Sequence, residues 1–405
     1  MAIDRLVTRI PAALVTLCAL VACSAHGPSG SLVPSGASAA WNPVSQNGLA
    51  PDVTPVGEFA YVSSRDSDKV YAYSVSLSKG VLKPVPGSPF PTGLTPTGVA
   101  IDRSGKYAYV SEGATTSISP GTVAGFAINA ITGKLTKLTG SPWSAGYGPG
   151  LLAVDPTADF LYAPADPGGG IFAFAINAAT GDLKDVKGSP FETPGAAYAI
   201  AISPNGKFLY AGNTERNSVS AFTIDSKTGQ LHDVKGSPFA AGGTPIRGEV
   251  TPNGKYLYFA NRESSNVSAY AINATTGALS AVKGSPFKAG HAAGVGITPS
   301  GNFAYVPNAS PANNVWGFTI DATGKLTPIL GSPFPAGRYP IGFTVDTTGK
   351  FGYALNGTGH NISAYAIGSS GRLTAVAGSP FSTGAGPDSM AVCASAKGVC
   401  KPPAR

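Results

Sequence analysis

Arg247 and Glu249 stand two residues apart in Pro245-Ile-Arg-Gly-Glu-Val250, a stretch whose counterparts elsewhere in the chain are almost entirely small or apolar. On an extended strand such a pair projects to one side. The arginine can bind a carboxylate or phosphate and polarise a carbonyl, and the glutamate can act as base toward an attacking water. The same two residues can equally form an ion pair, or bond neighbouring backbone, and plug the space their strand faces. His291, Arg338 and Tyr339 come just before other stretches of this kind, and Tyr198 and Asp388 just after their starts. If those starts converge, these five are candidate ligand-binding residues around Arg247 and Glu249 as candidate catalytic residues.

Convergence follows from a repeat. Gly-Ser-Pro-aromatic occurs seven times, from Gly87-Ser-Pro-Phe90 to Gly378-Ser-Pro-Phe381, at spacings of 47 to 53 residues. Such a period marks a repeat array. Each unit divides into four β-like runs. In the fourth, Tyr198 to Ile202 is an apolar inner strand, Ser203 to Lys207 a Pro- and Gly-containing turn, Phe208 to Gly212 a second strand, and Val219 to Ile224 an alternating third strand. A turn at Ser226 to Gly229 leads to an outer strand from Leu231 that ends in the next Gly-Ser-Pro-Phe. Four antiparallel strands repeated seven times describe an all-β, seven-bladed β-propeller, because no blade buries both faces until the ring closes.

The chain ends say how it closes. Pro387 to Val392 matches an inner strand with no second strand after it, and the first unit begins at its second strand, Phe59 to Val62. The C-terminal strand therefore completes blade 1; the rival segment, Asp52 to Thr54, follows Pro51, which lacks the donor a central strand needs. Cys393 and Cys400 flank the end of that strand and read as a disulfide in an oxidising compartment, with a reduced pair as the alternative.

The N-terminus supplies the compartment. Arg5 and Arg9 precede an apolar run from Ala12 to Ala22, too short to span a membrane and suited to a secretory leader. Leu20-Val-Ala-Cys23 resembles a bacterial lipobox, with Cys23 as the lipidation site and a plain leader cut elsewhere as the alternative. Ser24 after that cysteine points to the outer membrane. The division expected is 1–22 leader, 23–50 flexible Ser/Gly/Pro-rich tether, 51–396 propeller and 397–405 tail. The chain is then an envelope protein, periplasmic or extracellular, held to a membrane by acyl chains, and a monomer.

In its inner strands, Pro-x-Gly-Lys turns, aromatic-x-Tyr second strands and Asn-bearing loops, the chain resembles the YVTN-repeat propellers of the seven-bladed lactonase family, which includes 6-phosphogluconolactonase-like proteins. The resemblance covers about residues 56 to 396. It implies the fold, and it implies Arg, His and Glu side chains around the central channel in members that act on sugar-acid lactones. Two family patterns are altered: Pro245-Ile246-Arg247 stands for Pro-Arg-His, and Asn261-Arg262-Glu263 for Asn-Glu.

Composition closes off other chemistry. The formal charge is +7, but the lysines recur singly at turns such as Lys106, Lys207, Lys255 and Lys350. That is a solvated surface, with no basic stripe for nucleic acid. His232, His291 and His360 fall in separate repeats, so no metal set is expected, nor any cofactor. Loops after the second strands carry Arg65, Asp66, Glu112, Asp166, Glu215, Arg216, Arg262 and Glu263, a mixed-charge rim that suits an envelope protein or glycan. Two functions therefore compete. The first is a ligand- or protein-binding scaffold using the loop face; the second is a lactone hydrolase centred on Arg247 and Glu249.

Overall fold

Every second strand carries the same aromatic-x-Tyr pair, and both residues act on the neighbouring blade. The computed structural model of the chain describes residues 57–113, 120–166, 170–309, 311–396 and 399–402. Within them the strands form seven antiparallel sheets, one for each repeat. In blade 4, inner strand Ala197–Ile202 pairs with Phe208–Asn213, which pairs with Ser218–Ile224 and then with the outer strand Leu231–Asp233. The fold is the seven-bladed β-propeller with four antiparallel strands per blade that the repeat implies.

The tyrosine hydroxyl of each second strand donates to the carbonyl of a turn glycine in the next blade. The series runs Tyr61 to Gly133, Tyr109 to Gly181, Tyr162 to Gly229, Tyr210 to Gly277, Tyr258 to Gly324, Tyr305 to Gly371 and Tyr353 to Gly80, at 2.7–3.1 Å. The last of these runs from blade 7 to blade 1 and closes the ring. The aromatic two residues earlier lies flat on the same glycine: a Cβ at Gly277 would stand 2.4 Å from Phe208, and its φ of +76° excludes most side chains as well. Turn glycine and aromatic-x-Tyr strand are thus two halves of one joint.

The Gly-Ser-Pro-aromatic phrase serves the blade itself. Each serine Oγ accepts the backbone N–H of a residue 15 or 16 positions earlier in the third strand, from Ala72 to Ser88 through Ala364 to Ser379, at 2.8–2.9 Å. The outer strand stops before the phrase, and in six blades its aromatic starts a two-residue strand that pairs with the third strand, as Phe239–Ala240 does with Val219 and Ser218; in blade 3 Phe191 makes a single bridge to Ile171. The outer edge is shared between two short segments, each too short to recruit another chain.

Blade 1 closes as the chain ends require. Pro387–Ala396 pairs with Glu58–Ser64, and Val399–Lys401 turns back to pair with Pro387–Ala396, so the segment after 396 adds a strand where a tail was expected. Cys393 and Cys400, both buried, are joined across that hairpin. The leader, Cys23 and the tether lie outside the described residues.

The closing seam contains one anomaly. Glu58 takes the place held by lysine in blades 2, 4, 5 and 7 and is fully buried. It accepts the Thr347 N–H at 3.3 Å and the Thr347 hydroxyl at 3.4 Å from blade 7. Burial, and then the charge of Asp346, push its carboxyl up to about 8. The folded protein therefore keeps this proton after the unfolded chain has lost it, so stability falls as pH rises from about 4.5 to about 8.

Two predictions follow from the ring. Tyr210→Phe lowers the unfolding free energy by about 1 kcal/mol, and Gly277→Ala by more, in urea titrations. Glu58→Gln removes a loss on the order of 5 kcal/mol between acid and alkaline pH; its melting temperature exceeds that of the wild type at pH 8.5, and the two approach each other near pH 4.5.

Candidate functional site

The side chains at the channel mouth project from irregularities in otherwise regular strands. The register slips between Ala197 and Ile200, between Pro245 and Arg247, and between Val62 and Ser64 opposite Pro387 to Met390. Such bulges re-aim side chains. Tyr198, Arg247 and Asp388 all lie within or at the edge of one, at the loop-face end of an inner strand.

They meet around one carboxylate. Asp388, whose side chain is 1% exposed, is ion-paired with Arg247 through one oxygen and with Arg65 through the other. Arg247 also donates from Nη1 to the Asp388 backbone carbonyl at 2.9 Å, and its guanidinium lies 5.9 Å from the centre of the Tyr198 ring. The Tyr198 hydroxyl donates to Asp388 at 3.3 Å and accepts from Arg65 at 3.3 Å. Arg65 belongs to the turn Arg65–Ser67, which is fastened to the closing strand's approach by its N–H to Gly386 O at 2.8 Å and by Asp66 N–H to Ala385 O at 3.1 Å. Blades 1, 4 and 5 are thereby tied across the channel.

Charge is in surplus here. Burial alone would raise the Asp388 carboxyl, but Arg247 and Arg65 outweigh it and hold the group below the ordinary carboxylate range. Burial, then the Asp388 charge, pushes the Tyr198 phenol up. A third guanidinium, Arg262, stands close enough for burial and the Arg247 charge to lower its pKa, and its buried Nε has no partner among the described residues. His291 lies beyond it. Burial and the Arg262 charge depress the imidazole, and among the described residues its buried Nδ1 has no partner either. Tyr339 adjoins Arg262 and is held at φ +58° by its N–H to Asn313 Oδ1 at 2.8 Å, a left-handed backbone that a bulky residue rarely adopts.

The structure thus gathers Arg247, Tyr198, Asp388, His291 and Tyr339 at one mouth. Glu249 faces the channel deeper in, where Oε2 accepts the Ile297 N–H of blade 6 at 3.1 Å. Arg338 stays exposed on its loop and makes no side-chain bond among the described residues. Arg65 and Arg262, read from sequence as part of a solvated rim, turn inward instead. Both are the first residue after a second strand, ending at Ser64 and Asn261, and that shared position was the signal that marks them. Glu112, also assigned to the rim, is buried and accepts Gly93 N–H at 2.6 Å and the Thr122 hydroxyl at 2.8 Å.

The model of the family described as lactonase, 7-bladed beta-propeller, matches residues 48–142, 90–197, 121–291 and 280–386. The chain belongs to the seven-bladed β-propeller lactonase family. Among solved structures, it is similar to a Bacteroides fragilis protein assigned as a 6-phosphogluconolactonase, at 20% identity over 85% of this chain and 99% of that one, with a TM-score of 0.71. The periplasmic gluconolactonase of Pseudomonas aeruginosa aligns at 17% identity over 84% of this chain and 99% of that one, also at 0.71. No curated protein matches the sequence. At these identities the structural likeness speaks for the fold, and the family favours the lactonase alternative over the binding scaffold placed first from sequence.

The buried carboxylate yields a prediction independent of function. Asp388→Ala leaves two guanidiniums facing each other with no counter-charge, and costs about 3–5 kcal/mol of unfolding free energy. Circular dichroism melts of this variant check it.

Proposed function

We propose that this propeller hydrolyses the lactone of an anionic sugar acid at the loop-face mouth. The observation that carries the reading is the surplus of guanidinium: Arg65 and Arg247 share one carboxylate, Asp388, while Arg262 beside them has a buried Nε with no acceptor among the described residues. A carboxylate or phosphate on the substrate supplies that acceptor through charge-assisted hydrogen bonds. Family membership supports the same substrate class.

The chemistry is divided among residues with different protonation. Arg262 and the solvent-facing edge of Arg65 hold the anion, and Arg247 polarises the lactone carbonyl. His291 is kept neutral by burial and by Arg262, so its imidazole is free to take a proton from water at neutral pH. The water oxygen adds to the carbonyl carbon; the tetrahedral oxyanion collapses, the ring C–O bond breaks, and the imidazolium returns the proton to the departing alkoxide. The product is the open-chain hydroxy acid. Asp388 is unsuited as base because both of its oxygens are ion-paired and its proton affinity is depressed. Glu249, the base chosen from sequence, has Oε2 committed to Ile297, which leaves His291 as the base of this proposal.

Base uptake at constant pH on a panel of aldonolactones, with and without phosphate or carboxylate groups, tests the proposal. His291→Gln lowers kcat about 10²–10⁴-fold. In the wild type kcat/KM falls only below the ordinary histidine range, because the base titrates lower than a free imidazole, and His291→Gln loses that acidic limb. Arg262→Met raises KM for the anionic substrates and leaves neutral ones little changed. Turnover by wild type on none of the panel, or equal turnover by His291→Gln, rejects the assignment.

A further inference from the structure

In a four-stranded meander the turn after the inner strand and the turn after the third strand fall at the same end, so the ring carries all of them to the face opposite the mouth, the turn face. Lysines that recur singly along the sequence are thereby collected on one side. Lys79 of blade 1, Lys106 and Lys134 of blade 2, Lys350 of blade 7 and Lys401 of the closing hairpin are exposed there, and none is ion-paired among the described residues.

They form one patch because the turns that bear them touch. Tyr353 of blade 7 donates to Gly80 O, next to Lys79, and Tyr61 of blade 1 donates to Gly133 O, next to Lys134, both at 3.1 Å. Gly105, just before Lys106, packs so closely on Cys400 and Lys401 that no Cβ fits between them. In the same hairpin Ser395 Oγ donates to Ala130 O of blade 2 at 2.7 Å, and Thr347, in the turn that ends at Lys350, meets Glu58 of blade 1.

No exposed carboxylate offsets this charge among the described residues. The acidic side chains in the turns of blades 7, 1 and 2 are Asp346, Glu58 and Asp102, all buried and bonded inward to Phe351, Thr347 and Tyr107. The turns of blades 3, 4 and 6 instead carry Asp159, Asp182, Asp225 and Asp321, none of them buried, and Asp159 also takes up the remaining blade 2 cation, Arg103, at 2.7 Å. Unbalanced positive charge is thus confined to one sector. Within it stands an apolar residue, Ile131, 57% exposed on the turn that bears Lys134. Lysines around an exposed aliphatic side chain suit an anionic lipid interface.

The chain enters through the same sector. Gly57, the first residue described, accepts the Ser395 N–H at 3.0 Å and leads into Glu58–Ser64 from this end. Residues 23–56 run to it from the expected lipidation site and contain no lysine or arginine. We propose that the turn-face sector of blades 7, 1 and 2 docks on the headgroups of an anionic phospholipid bilayer, with its lysines on lipid phosphates and Ile131 at the headgroup boundary. The mouth on the opposite face then opens away from the membrane. This surface is separate from the lactone chemistry and does not depend on it.

Co-sedimentation with vesicles tests the docking. Every joint and the closing strand lie within residues 57–402, so the chain from Ser24 onward, without leader or acyl group, keeps the whole ring. It binds vesicles containing phosphatidylglycerol and not vesicles of phosphatidylcholine alone, and salt raised to about 1 M, where screening reaches in to about 3 Å, releases it. Lys79→Gln, Lys106→Gln, Lys134→Gln, Lys350→Gln and Lys401→Gln combined weaken binding at least about a hundredfold, at about fivefold per lysine. Lys184→Gln, Lys187→Gln, Lys235→Gln, Lys283→Gln and Lys288→Gln combined remove the same charge from exposed positions on blades 3 to 5 and leave binding within about threefold. Equal binding of the two lipid mixtures, equal loss in the two combined variants, or tighter binding to duplex DNA than to the charged vesicles at the same salt overturns the proposal.

Discussion

A tyrosine hydroxyl that reaches the carbonyl of the next blade's turn is the contact on which the rest of this molecule depends. A four-stranded blade is apolar on both faces and cannot persist alone. What fixes the spacing and rotation of its neighbour is the joint between an aromatic-x-Tyr strand and a left-handed glycine, made between all seven successive pairs of blades. The aromatic ring covers the glycine where a side chain would stand, and the hydroxyl satisfies a carbonyl that burial would otherwise leave unpaired. Since each joint links two blades, the seventh exists only if the ring closes, and closure rests on a strand from the far end of the chain.

Closure also builds the mouth. Asp388 is carried by the closing strand and Arg65 by the turn packed against it, and both cross the channel to meet Tyr198 and Arg247 from blades 4 and 5. Bulges at the inner-strand starts turn these side chains inward without disturbing the pairing that follows. A carboxylate so deep is tolerable only because two guanidiniums ionise it, and the guanidiniums are tolerable only because the carboxylate is there. Arg262 and His291 sit outside that balance. Their unpartnered nitrogens and depressed proton affinities are what a small molecule can act on, and on these the lactonase proposal stands.

The fold was legible in the sequence because repetition multiplies a weak local signal sevenfold: the turn glycines, the aromatic-x-Tyr pairs and the orphan strand at Pro387 each fixed an element or its partner. The disulfide followed from the same strand. The site was legible in part. Arg247 stood out as charge in an otherwise small-residue position, and Tyr198 and Asp388 fell near it by alignment. Arg65 and Arg262 were assigned to a rim because a loop charge is ordinarily solvated, and the inward turn of a side chain is set by tertiary packing that periodicity does not encode. Glu249 shows the converse: strand alternation placed it beside Arg247, yet its carboxylate was claimed by a backbone N–H from the next blade, a contact only the ring creates.

The most direct measurement is a crystal structure of the protein with an aldonate product bound at high concentration. The account requires the aldonate's carboxylate, or phosphate where one is present, within hydrogen-bonding distance of Arg262 Nε, with a polar oxygen near His291 Nδ1 and Asp388 still paired to both arginines. Aldonate found only deeper in the channel, or a mouth left empty while the product sits elsewhere on the ring, would contradict it.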